Sequence, residues 1–235
     1  MAFTDPDLWT ALLKIIGVNI VLSGDNAVVI ALAARSLPPR QQKQAIFWGS
    51  AAAIVMRIVL TLFAVALLSL PWLKLVGSAL LLWIGVKLLV PEDEGGEVEP
   101  GQDMLQAIKT ILIADLVMSL DNVIAVAAAA GGHWGLTITG LAISIPLVIF
   151  GATLLVKVME RWPVVITIGA ALIGFVAGEM AWEDRAEFMQ ALTAPYGPNA
   201  KYIAAAAGAA FVVALGHWLG SRAESRNRIE EKPAR

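Results

Sequence analysis

The chain contains no cysteine. Disulfides, thiolate metal sites and thiol nucleophiles are therefore excluded together. Histidine is almost missing as well, with two residues, His133 and His217. Charge is scarce: Asp, Glu, Lys and Arg make up 15% of 235 residues, against about 25% in a soluble domain. No cluster of basic and aromatic residues suggests nucleic acid, and a formal net charge of −2 says nothing about it.

Apolar residues fill the space: 58% of the chain, with a mean hydropathy of +0.75. The few charges gather in short clusters. Between them run apolar stretches of about 17 to 25 residues, the length that crosses a hydrocarbon core as a helix. The runs are continuous rather than alternating, which argues against a strand barrel. The pattern predicts an all-α polytopic membrane protein with seven spans, at 8–34, 44–70, 73–90, 104–130, 134–158, 163–182 and 199–219. Pro146 falls inside the fifth and should kink it. Met1 to Asp7 lacks the basic n-region and small-residue cleavage site of a signal peptide, so the first span is expected to be retained.

The connections differ in character. Arg35 to Lys43 is basic and carries Pro38-Pro39. Pro91 to Asp103 is acidic and rich in Gly and Pro, as a solvated loop would be. Glu183 to Pro198 is polar, with room for a short surface helix, and Ser221 to Arg235 is a basic tail. With the N-terminus outside, twelve Lys and Arg fall on inner segments and three on outer loops. The positive-inside rule then predicts N-outside and C-inside.

One stretch recurs. Asn19 to Asn26 reads Asn-Ile-Val-Leu-Ser-Gly-Asp-Asn, and Asp115 to Asn122 reads Asp-Leu-Val-Met-Ser-Leu-Asp-Asn, a gapless match at an offset of 96. Gly49 matches Gly140 at an offset of 91, and Pro71 matches Pro163 at 92. Spans one to three thus repeat as spans four to six. Three helices per copy force the second copy to cross in the opposite sense, and inverted repeats place a shared site near the midplane. The expected organisation is repeat one at 1–90, an acidic cytoplasmic linker at 91–103, repeat two at 104–182, a polar loop and seventh helix at 183–220, and a basic cytoplasmic tail at 221–235.

The repeated stretch carries the chemistry. At 100° per residue, Asn19, Ser23 and Asn26 share a stripe about 60° wide, as do Asp115, Ser119 and Asn122. Asp25 and Asp121 lie roughly 120° away on a regular helix. Either the helix unwinds there, or each Asp faces a different neighbour. A charge at the bilayer centre costs about 2.5 to 3.5 kcal/mol on insertion scales, so a duplicated Asp-Asn pair argues for a site. Carboxylates, amides and hydroxyls are hard oxygen donors that suit Mg²⁺, Ca²⁺ or Mn²⁺. The candidate ligands are Asn19, Asp25, Asn26, Asp115, Asp121 and Asn122. Ser23, Ser119, Arg57 and Glu179 are candidate supports. Arg57, near the middle of span two, needs a carboxylate; Asp25 or Asp121 is the expected partner, in a functional or a structural pair. Glu179, near a span end, suits an interfacial ion pair or a gating role.

The run Ser23 to Ala34, together with Asp115 to Ala127, resembles the TerC family of membrane proteins, and within it the YjbE-type metal transporters of the lysine-exporter-like superfamily. The likeness extends from about Trp9 to Leu219. It implies an integral protein of the bacterial inner membrane, N-outside, associated with Mn²⁺ efflux and tellurite resistance. The motif match assigns the metal role to Asn19, Asp25, Asn26, Asp115, Asp121 and Asn122. Some relatives act in membrane-protein biogenesis, so a scaffold with structural Asp-Asn pairs is the alternative. No Gly-x-Ser-x-Gly elbow or His-Glu-x-x-His helix supports an enzyme. No permanently bound cofactor is expected; Mn²⁺ or a similar cation would be substrate. Three carboxylates around one divalent ion leave a net charge of −1, which makes proton counter-transport a natural coupling. The expected partners are the lipid bilayer, the metal ion and protons.

Overall fold

A computed structural model of the chain describes residues 17, 24–68, 70–90, 100–129 and 134–230. Within these, the side chains of 62–68, 100–102, 121, 123–129, 134, 136, 137, 144, 198 and 224–230 are not described. The described elements are α1 (Gly24–Ala34), α2 (Pro39–Leu68), α3 (Leu73–Leu89), α4 (Pro100–Ala129), α5 (Trp134–Arg161), α6 (Val164–Trp182), α7 (Glu187–Thr193) and α8 (Lys201–Glu230), with a 3₁₀ turn at Pro198–Ala200. Among the described residues there is no strand, as the continuous apolar runs predict.

Four segments are long and apolar enough to cross a membrane: Pro39–Thr61, Ile138–Arg161, Val164–Trp182 and Lys201–Ala223. They correspond to the second, fifth, sixth and seventh expected spans. Gly24–Ala34 is a shorter apolar helix; the earlier part of the expected first span lies outside the described residues, apart from Gly17. Two helix starts differ from expectation. Pro38-Pro39 was expected to break a basic link, yet Pro39 opens α2, and the Gln42 N–H donates to the Pro38 carbonyl at 2.9 Å. Proline at a first helical position has no N–H to leave unpaired. Helix α4 already includes Pro100, ahead of the expected start at Met104. The stretch 91–99 of the acidic linker lies outside the described residues.

Two compact units are present, and neither is a continuous half of the sequence. The first joins Met1–Leu70 with Met104–Val158, and the second joins Pro71–Asp103 with Met159–Arg235.

In the first unit α2 and α4 run parallel. Gly49 of α2 stands against Ile111 of α4, where an added Cβ would come within 2.8 Å of the Ile111 side chain. Two turns further along α2, Arg57 reaches Asp115 and Ser119, one to two turns further along α4. Two parallel neighbours with α3 between them in sequence are what alternating spans require.

The second unit is a three-helix cluster of α3, α6 and α8. Val86, Ala170 and Val212 form its buried centre, ringed by Leu82, Leu89, Leu215 and Leu219. Helices α6 and α8 are antiparallel and touch through glycine. A Cβ on Gly174 would meet Val212 at 2.8 Å and the Ala209 Cα at 2.9 Å; one on Gly178 would meet the Ala205 Cα at 2.8 Å. Small residues permit this approach, and dispersion between close backbones replaces the hydrophobic drive that lipid cannot supply.

Candidate functional site

The polar residues of the first unit converge on Arg57. It is 4% exposed, on a face of α2 that also buries Ser50, Ala53, Ile54 and Thr61. The Arg57 Nη2 donates to Asp115 Oδ1 at 2.5 Å. Its Nε donates to the Ser119 hydroxyl at 2.9 Å, and that hydroxyl donates to Asp115 Oδ2 at 3.1 Å. The three side chains close a ring in which each carboxylate oxygen has its own donor. Thr61 anchors the helix beneath it, donating to the Arg57 carbonyl at 2.7 Å.

The α4 side follows from helical spacing. Asp115, Ser119 and Asn122 recur at the interval of one turn and are all buried, with Asp115 5% exposed. Met118, also buried, packs beside them in sequence. Asp25 or Asp121 was the expected partner of Arg57; Asp115 bonds it directly, Asp25 lies within electrostatic reach of it, and the side chain of Asp121 lies outside the described residues. The parallel packing of α2 and α4 brings Asp115 to Arg57, and no local pattern in the sequence reveals it.

Asp25 and Asn26 lie in the first described turn of α1, and the Asp25 Oδ1 accepts the Asn26 N–H at 2.8 Å. Asp25 is half-buried, Asn26 is 2% exposed, and Asp25 lies in electrostatic reach of Arg57 and Asp115. The structure therefore brings Asp25, Arg57, Asp115 and Ser119 into one electrostatic neighbourhood, with Asn26 and Asn122 buried in the same unit. Asn19 and Ser23 lie outside the described residues, and so does the side chain of Asp121. Among the described residues no three His, Cys, Asp or Glu groups converge as a metal site would require.

Ser50 was not singled out from the sequence. It is 1% exposed, and its hydroxyl has no hydrogen-bond partner among the described residues. It precedes Arg57 by two turns, within about 20° of the same face. Its position seven residues before Arg57 was the available signal.

Glu179 belongs to the second unit. Lys201 Nζ lies 2.6 Å from its carboxylate and 3.2 Å from that of Glu183, while Lys74 reaches Glu183 at 3.3 Å. Burial pushes the Glu183 carboxyl up, but the contacts with Lys201 and Lys74 outweigh it and hold it below its usual value. Beside this network, Asp184 is 4% exposed and accepts three backbone N–H groups. They come from Trp72 at 3.0 Å, Leu75 at 2.9 Å and Ala186 at 2.7 Å.

The model of the integral membrane protein TerC family matches residues 4–224. The chain belongs to the TerC family. YjbE of Bacillus subtilis (strain 168), named an uncharacterized membrane protein, is 43% identical over 179 residues, covering 76% of this chain and 82% of its own length. YceF of the same organism is 26% identical over 188 residues, covering 76% and 73%. YgdQ of Escherichia coli (strain K12), a UPF0053 inner membrane protein, is 28% identical over 193 residues, covering 73% and 81%. No solved structure matches. This TerC protein is thus an integral membrane protein.

Proposed function

We propose that this TerC protein transports divalent metal cations, exporting Mn²⁺ from the cytoplasm through the Asp-Asn site of the first unit. The observation that carries the reading is the buried Arg57–Asp115–Ser119 ring, within electrostatic reach of Asp25. Intramembrane ionisable groups are expensive and gather on ion pathways. Hard oxygen donors without cysteine favour Mn²⁺, Mg²⁺ or Ca²⁺ over softer ions. Asn19, Asp121 and the amides complete the proposed ligand set.

The inverted repeat belongs to this proposal. Spans one and two pair with spans four and five in one unit, while spans three and six share the other with span seven. Each copy then contributes two helices to the first unit and one to the second. The site would lie where the copies meet inside the first unit. An inner-membrane location is supported by the relative YgdQ, which is named an inner membrane protein. The N-outside, C-inside orientation rests on the positive-inside count. The protein is read as a transporter rather than an enzyme, with the metal as cargo and no resident cofactor. Proton exchange would balance the carboxylates as the metal leaves.

A scaffold reading draws on the same ring, because interhelical hydrogen bonds also staple membrane helices. Equilibrium Mn²⁺ binding to purified protein separates the two. Transport predicts saturable binding that Asp25→Asn weakens at least tenfold without changing the size-exclusion profile. A scaffold predicts no saturable binding and a disturbed profile in the variant.

A further inference from the structure

We infer that α6 and α8 hold one anionic phospholipid where the start of one span meets the end of the other, with Arg222 on the lipid phosphate. Only the second unit is involved, so the site stands or falls apart from the transport reading.

The antiparallel packing of α6 and α8 sets Val164, which opens one span, near Ala223, which closes the other. Across the junction Thr167 Oγ1 and His217 Nε2 stand 3.5 Å apart. Trp218 and Arg222 follow on exposed surface at the end of the α8 span. The Arg222 guanidinium lies 3.9 Å over the Trp218 ring. Stacking occupies the face of a guanidinium and leaves its N–H donors free around the edge. That edge fits two oxygens of a phosphate. Among the described residues neither Arg222 nor Arg161, at the end of α5, has a carboxylate in ion-pair contact, and Glu160, next to Arg161 in sequence, bonds neither. The opposite end of the same unit differs, with Lys74 on Glu183 and Lys201 on Glu179 and Glu183. There the cations are neutralised within the chain; at the Arg222 end they face outward to an anion from elsewhere.

The order of groups along α8 matches a lipid. Arg222 stands at the water-side limit of the span. His217 lies five residues deeper, about 7 to 8 Å along the helix, with Thr167 of α6 beside it. Phe211 lies six residues deeper again, about 9 Å, and is exposed, as is Ile168 of α6. Charge, neutral polar groups and apolar surface thus succeed one another as phosphate, glycerol ester and acyl chain do. His217 and Thr167 can each donate to an ester carbonyl. Trp218 has the amphipathic ring that settles at headgroup level. The N-terminus of α6 plays no part, since the Val165 and Ile166 N–H groups donate to the Trp162 and Pro163 carbonyls. A headgroup of net negative charge is the better occupant, because a zwitterionic one brings its own cation to compete with Arg222 for the phosphate. Basic groups at a membrane surface bind anionic lipid on these terms.

Native mass spectrometry of the purified full chain, titrated in detergent with phosphatidylglycerol or phosphatidylcholine, tests the site. One basic group at a lipid surface is worth about fivefold in affinity. Wild type should therefore hold one phosphatidylglycerol at least about fivefold more tightly than phosphatidylcholine, and inorganic phosphate at the same concentration should not displace it. Arg222→Gln should weaken phosphatidylglycerol binding at least about fivefold and leave phosphatidylcholine binding unchanged. Trp218→Leu, which removes the platform under the guanidinium, should weaken it in the same direction. Both residues are exposed, so both variants should melt like wild type without added lipid. If Arg222→Gln fails to fold, Arg222→Lys serves: it keeps the charge, loses the fork and should bind between wild type and the glutamine level. Arg40→Gln, at an exposed arginine with no stacked ring among the described residues, should bind as wild type does. Equal affinity for the two lipids, undiminished binding in the Arg222 variants or displacement by inorganic phosphate would overturn the site. An equal loss in Arg40→Gln would also overturn it, by showing bulk charge attraction in place of a built site.

Discussion

Replacing Asp184 by alanine should loosen the second unit at the start of α3. The carboxylate holds two N–H groups at that helix start, from Trp72 and Leu75, and a third from Ala186. Hydrogen bonds to a charged group are worth about 1.5 to 3 kcal/mol each, and a carboxylate at a helix N-terminus adds about 0.3 to 1 kcal/mol. Trp72 is exposed and Leu75 half-buried, so water would recover part of this in the variant. The net loss works out at about 3 kcal/mol once that recovery is allowed for. Trp72 adds strain of its own, with φ at 71°. A left-handed non-glycine residue costs about 1 to 2 kcal/mol and persists only where its surroundings hold it. Asp184 and the stacked ring of Phe188, 4.9 Å between centroids, do the holding. The assay is thermal unfolding of the purified protein followed by tryptophan fluorescence. At about 2 to 4 °C per kcal/mol, the melting temperature of Asp184→Ala should fall by about 6 to 12 °C. Asp184→Asn, which keeps one acceptor oxygen, should lose about half as much. A shift below about 2 °C for the alanine variant would refute the reasoning.

Other outcomes follow from the same packing. Gly178→Leu would drive a side chain into the backbone of α8 at Ala204 and Ala205; it should cost about 3 kcal/mol or more, read as a lower melting temperature and a broadened size-exclusion peak. Asp115→Leu removes the carboxylate that buried Arg57 bonds and should cost about 3 to 5 kcal/mol, whereas Arg57→Met with Asp115→Leu should recover most of that loss. Glu183 supplies a pH dependence. Its folded pKa is held below the usual 4.5, so its stabilisation is present above that value and is lost as pH falls through the lower, folded one. Glu183→Gln should therefore flatten the dependence of melting temperature on pH between about pH 6 and pH 3. An unchanged slope would show that the Lys74 and Lys201 contacts are not maintained in solution.

The sequence made the helices legible because apolar length is a local signal. The spans at 44–70, 134–158, 163–182 and 199–219 each fall on a helix able to cross a membrane. Even the short surface helix in the polar loop is present, as α7. Helix starts were less legible, since Pro39 read as a breaker when it acts as a first-turn residue. The burial of Asn26, Asp115, Ser119 and Asn122 followed from their spacing and the cost of polar groups in lipid. What spacing alone did not carry was partnership. Asp115 joins Arg57 because α2 and α4 run parallel, and Glu179 found Lys201 in the second unit. Asp184 resembled any charge in a polar loop; its role depends on backbone N–H groups at Trp72 and Leu75, more than a hundred positions away.

The central claim is that this TerC protein moves a divalent metal through the Asp-Asn site. Mn²⁺ flux in sealed proteoliposomes tests it most directly, comparing wild type with Asp25→Asn and Asp121→Asn, each with a normal size-exclusion profile. The account predicts flux in wild type that responds to an imposed pH gradient and disappears in both well-folded variants. Absence of flux in wild type under either gradient direction, or undiminished flux in the variants, would contradict it.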